Sequence, residues 1–243
     1  MSKLLKAPLL EVIFEIRWNS TNKQEVDKFQ LLIGALYAEL KNTYEKPVNL
    51  LPDPNIPVQA FLDKPVFRAR RKDGKPILYQ VGPGILSINY VGADYDWEIF
   101  CNEIQTIVDH IRRLYGFTPQ KEIQMGLKYL DFFDFEFDNE DLFKFLKEKF
   151  HLTIESDFIN KPIGINFAIT EKSDNDSFFN LRINTGTVNN QRKGMIVESR
   201  LNAKQPSEAF FASFEQRLTD FHNKLSQFFK SLTQGDLYES FKN

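Results

Sequence analysis

Arg68-Ala69-Arg70-Arg71-Lys72 carries cations at alternate positions of a short segment. On an extended chain alternate side chains share a face, so Arg68, Arg70 and Lys72 line one side and Arg71 the other. Such a row suits phosphate contacts, with Gln191-Arg192-Lys193 in a later turn as a second contributor. Single-strand platforms interleave stacking aromatics with their cations. Here Phe67 falls on the other side, and ordinary hairpin-end charge is the simpler reading. Carboxylates offer a second chemistry. Glu11 and Glu15 share a strand face with Arg17, and Glu198 reaches them if its strand lies nearby. That set plus a lysine is what metal-dependent nucleic-acid processing needs.

The same parity turns Ser87, Asn89, Lys128, Asn166, Thr170, Asn180, Arg182, Asn184, Glu198, Arg200 and Asn202 outward on their strands. The candidate binding surface is therefore Glu11, Glu15, Arg17, Arg68, Arg70, Lys72, Lys128, Asn166, Arg182, Asn184, Glu198 and Arg200. Arginine and asparagine make directional hydrogen bonds, which fits an anionic or peptide-like partner. The competing reading is that an antiparallel sheet simply has a polar solvated face.

Other signals of catalysis are thin. His110, His151 and His222 lie on different elements without metal-ligand spacing, and structural or solvated roles suit them. No Gly-x-Ser-x-Gly elbow occurs. Asp131, Asp134, Glu136 and Asp138 read as a strand ending in solvent. Cys101 is the single cysteine, which excludes a disulfide framework and a cysteine zinc cluster. It sits among Ile99, Phe100 and Ile104 as a small core residue. Gly82-Pro83-Gly84 precedes more strand rather than a helix and no Lys-Ser follows, so a bulge or bend displaces the phosphate-loop reading. Tyr95 and Trp97 read as core packing. No cofactor, metal site or catalytic residue is assigned.

Residues 8–18 alternate as a half-buried strand, and 22–45 has helical spacing ended by Pro47. Residues 58–72 and 76–91 form a hairpin around Asp73-Gly74. A helix spans 95–115, started by Asp94 or Asp96. Residues 123–137 form a strand, and Asp138 or Asn139 caps a short helix. Strands follow near 162–171, 177–188 and 194–203. A final helix over 207–233 carries phenylalanine around a wide arc. The expected fold is α+β: a mainly antiparallel sheet of about seven strands with helices on one face. Two β-α-β-β-(β)-α halves, 1–120 and 121–243, form one domain.

The 24 phenylalanines among 243 residues imply an aromatic core, and a formal charge of −2 argues against binding nucleic acid through bulk charge. No run reaches membrane-spanning length and residues 1–18 lack a signal-peptide stretch. A cytoplasmic protein without membrane association is expected.

Three blocks carry a resemblance: Lys6 to Arg17 (KAPLLEVIFEIR), Val81 to Asn89 (VGPGILSIN) with Tyr95 and Trp97 after it, and Gly126 to Leu130 (GLKYL). Together they resemble a bacterial family of sporadically distributed proteins of unknown function. Where that family's third block commonly reads Leu-Arg-Tyr-Ile-Asn, this chain has Lys128 and Asp131. The resemblance supplies no catalytic residue. Patchy distribution implies horizontal transfer, hence a phage-defence or toxin–antitoxin setting. The expectation is a non-catalytic binding or partner-regulating module using the polar sheet face, with dimerisation through the C-terminal helix. The alternative is a nucleic-acid-binding or metal-dependent processing protein using Arg68, Arg70 and Lys72.

Overall fold

The structure is a computed structural model describing residues 4–18, 20, 23–53, 56–92, 94–137, 139–159, 161–174, 176–188 and 191–242. The expected cap Asp138 lies outside the described residues. The first half runs β1 (Leu9–Trp18), α1 (Lys23–Leu40), β2 (Val48–Asn49), β3 (Phe67–Arg70), β4 (Ile77–Gly82), β5 (Ile85–Val91) and α2 (Trp97–Tyr115). The second runs β6 (Glu122–Asp134), α3 (Leu142–Phe150), β7 (Asn166–Asp174), β8 (Ser177–Val188), β9 (Arg192–Pro206), α4 (Ser207–Leu232) and α5 (Asp236–Ser240).

The strands form one antiparallel sheet ordered β2-β3-β4-β5-β1-β6-β9-β8-β7, so the fold is α+β. Nine strands replace about seven because Val48–Asn49 adds an edge pair and residues 76–91 fold back as two strands. Pro83-Gly84 is a tight hairpin turn between Gly82 and Ile85, which pair, rather than a bulge in one strand. Proline presets φ at the first corner and Gly84, at φ +82°, supplies the left-handed second corner. A Cβ on Gly82 would lie 1.8 Å from the Lys64 carbonyl oxygen, so close backbone approach demands glycine there.

That hairpin makes the halves more alike than their sequences indicate. Leaving aside β2, each half reads β-α-β-β-β-α. Each first strand, β1 or β6, lies at the central seam, and the later strands extend outward from it.

The inward parity of β1 sends Val12, Phe14, Ile16 and Trp18 under the helices, all buried. Helix α2 contributes Phe100, Ile104, Ile107, Val108 and Ile111, and α4 contributes Phe210, Phe214, Leu218, Phe221 and Leu225 at helical spacing. A second cluster gathers β8, β9, α3 and α5 around Phe133, Phe150, Ile183 and Val197. The wide arc of α4 is used inside the chain. Phe211 packs on Phe117, Phe228 on Phe179, and Phe229 on Phe241, at centroid distances of 5.5, 4.8 and 5.9 Å. These rings of α4 are thus partnered within the chain, which removes the expected basis for dimerisation through this helix. Among the described residues no helix is long and apolar enough to cross a membrane.

Candidate functional site

The register places most of the expected surface on one face. One row across it reads Arg68, Gln80, Ser87, Glu15, Gly126, Asn202, Phe178 and Lys172 from β3 to β7. The next reads Arg70, Leu78, Asn89, Ile13, Lys128, Arg200, Asn180 and Thr170. Glu11, Glu198 and Arg182 share a third row, and Asn184 pairs with Asn166 beyond it. At roughly 4.8 Å per strand, Arg68 on β3 and Arg182 on β8 stand about 30 Å apart on a twisting sheet. They share a face but do not form one site.

The centre of that face is self-satisfied. The Arg17 guanidinium donates to both Glu15 carboxylate oxygens at 2.6 and 3.0 Å. Arg200 reaches from β9 across Gly126 to Glu15 at 3.3 Å, over ground that a Cβ on Gly126 would occupy at 2.9 Å from the guanidinium. Asn89 donates to Glu11 at 2.7 Å, and Lys128 lies 3.8 Å from Glu198. The three glutamates thus take separate partners instead of converging as metal ligands. Among the described residues no group of three or more His, Cys, Asp or Glu is placed to hold a metal ion.

The basic row is corrected too. Lys72 lies in a turn beyond β3, where its ammonium donates to the Lys41 carbonyl at 2.6 Å just past the end of α1. It leaves the face of Arg68 and Arg70 because the strand has already ended. Arg192 is held by Asp134, at 3.1 and 2.7 Å, five strand positions from β3.

The concave site is on the helix side, in a cavity of about 570 Å³ bounded by β1, β6, β9, α4 and the start of α2. Asp96 caps α2 by accepting from the Ile99 amide at 3.0 Å, which fixes Trp97 at the rim. Trp97 stacks on His222 of α4, with centroids 3.9 Å apart and planes within 5°. The His222 Nδ1 lies 2.7 Å from the Tyr129 hydroxyl, itself 2.9 Å from the Tyr95 hydroxyl. Burial lowers His222 to about 4, with Lys230 acting in the same direction, so the ring is neutral near pH 7. Burial likewise raises the Tyr95 hydroxyl well above its ordinary value.

Asp131 lies on the cavity floor, 5% exposed. Its carboxyl makes no hydrogen bond or ion pair to any described residue, and burial pushes it up to about 7. The expectation of a solvent-facing Asp131 is therefore overturned, although Asp134 and Glu136 are exposed as expected. The inward parity of Tyr129, Asp131 and Phe133 was the available signal. A bulge in β1 between Leu9 and Glu11 brings Leu9 opposite Asp131 and shapes the floor there.

Tyr95 and Trp97 pack against the core as expected and, with His222, also line this cavity. His151 instead approaches the Gln234 carbonyl at 3.1 Å, and His110 lies beside Arg113 at 2.8 Å and Glu39. Cys101 is half-buried against the core rather than within it, and burial raises its thiol. No family model matches the chain, and neither a curated protein nor a solved structure matches it.

Proposed function

We propose that this chain is a non-catalytic binding module whose small-molecule ligand occupies the cavity between β6, α2 and α4. The observation carrying this reading is Asp131: a buried carboxyl without a hydrogen-bond partner among the described residues, on the floor of an aromatic cavity. A buried polar group normally has a hydrogen-bond partner, and a ligand in this space supplies one. The volume falls in the range of small-molecule sites, as does the mixture of rings and a few convergent polar groups.

Binding is favoured over catalysis by how His222 is engaged. One ring face lies on Trp97 and Nδ1 lies within hydrogen-bond distance of Tyr129, so the imidazole is held as part of the cavity wall. The outer sheet face is the weaker site, because its central charges already hold one another.

A small-fragment screen followed by NMR tests the reading. The chain has two tryptophans, and Trp18 packs on Tyr115 at the far end of α2, so its indole signal serves as an internal reference. Binders are expected to shift the Trp97 indole signal, leave Trp18 unmoved, and lose affinity in Ser199→Leu, which fills the floor. Fragments that leave Trp97 unmoved, or bind Ser199→Leu equally well, overturn it.

A further inference from the structure

Three carboxylates line the cavity, Asp96, Glu98 and Asp131, against one described lysine, Lys230, which already has a partner. Asp96 is committed to the α2 cap. Asp131, deepest of the three, has no described partner. The rings of Trp97, Tyr129 and Phe229 line the same cavity, and ring faces attract cations. An anionic ligand would meet Asp131 and Glu98 with like charge. A neutral ligand can hydrogen-bond Asp131 but brings no charge to balance its ionised form.

We propose that the cavity selects an organic ammonium: a protonated amine on an aromatic or alkyl body, its nitrogen on Asp131 and its body against those rings. The assignment rests on the reading of this cavity as the ligand site and deepens it by naming the ligand class. A charge-assisted N–H···O bond is about twice as strong as a neutral one, so the ammonium gains most where the carboxylate is least solvated.

Binding should also move a proton. Below pH 7 the empty site holds a protonated Asp131, and seating a cation favours its ionised form. The other described titratable groups lining the cavity are Tyr95 and Tyr129, which keep their protons there, neutral His222, Tyr238, and the carboxylates Asp96 and Glu98 with Lys230.

The experiment titrates the full chain with phenethylamine, 2-phenylethanol and phenylacetate, using calorimetry and the Trp97 indole signal. Phenethylamine is expected to bind at least about ten-fold tighter than the alcohol, with phenylacetate weakest. At pH 6 its apparent enthalpy should vary with the buffer's ionisation heat, showing proton release that vanishes at pH 8.5. Asp131→Asn should bring the amine down to the alcohol's affinity and abolish release. Equal or tighter binding of alcohol or phenylacetate, with Trp97 shifting, overturns the ammonium assignment while the cavity reading survives. Failure of all three to shift Trp97 also overturns it, and the fragment screen then judges the cavity independently.

Discussion

The Asp131 carboxyl, at about 7 in the fold, has an ordinary value of 3.8. The folded state therefore holds this proton where the unfolded chain has released it, and stability falls as pH rises from about 4 to about 7, then levels. His222 acts the other way. Its value drops from 6.5 to about 4 on folding, so the unfolded chain takes up the proton first and stability is lost as pH falls through that window. Between pH 4 and 6.5 the two slopes oppose. Urea denaturation across pH 4.5–8.5 should show Asp131→Asn with stability rising with pH over this window, and His222→Gln with stability falling. At pH 8 Asp131→Asn should exceed the parent chain by about 2–4 kcal/mol. Parallel profiles for the two variants would rule out the assignment. The sequence hid the cavity for a physical reason: Tyr129 and His222 stand 93 residues apart, and only the placement of α4 over β6 joins them. Asp131 was masked by its acidic neighbours, although strand parity put it inward with Tyr129.

At the scale of elements, alternation and helical spacing gave strand faces and helix stripes reliably, because burial of one face is what creates both patterns. The Pro83-Gly84 turn escaped because two residues suffice to reverse the chain and apolar residues flank it on both sides. Its geometry makes a strong prediction. A methyl group on Gly82 would collide with the Lys64 backbone carbonyl, which cannot swing away as a side chain can. Gly82→Ala should cost at least about 2 kcal/mol by chemical denaturation. Gly126→Ala, by contrast, meets only the movable Arg200 guanidinium and should cost less than Gly82→Ala. Equal costs would show that the segment around Lys64 is not held tightly against the hairpin. The outer face teaches a complementary lesson. Parity correctly placed Arg68, Arg182 and Arg200 together on it, but pairing and separation came only with strand order. Lys72 left that face because parity lapses where a strand ends.

For the molecule as a whole, the two halves are sewn together by contacts that neither makes alone. Phe214 of α4 packs edge-on against Phe14 of β1 at 5.8 Å, and Trp97 of α2 stacks on His222. Thermal unfolding followed by far-ultraviolet circular dichroism and by tryptophan fluorescence should therefore give coincident transitions. Two separated steps would show that the halves melt independently. The flanks of the sheet are unequal: β2 contributes two residues and β7 nine, five of them consecutively exposed from Ala168 to Lys172. Among the described residues no strand pairs with the outer side of β7, so growth by strand addition is directional. Two copies joining through that flank would use up both long open rows and present only stubs to a third, which makes such an assembly self-terminating at the pair.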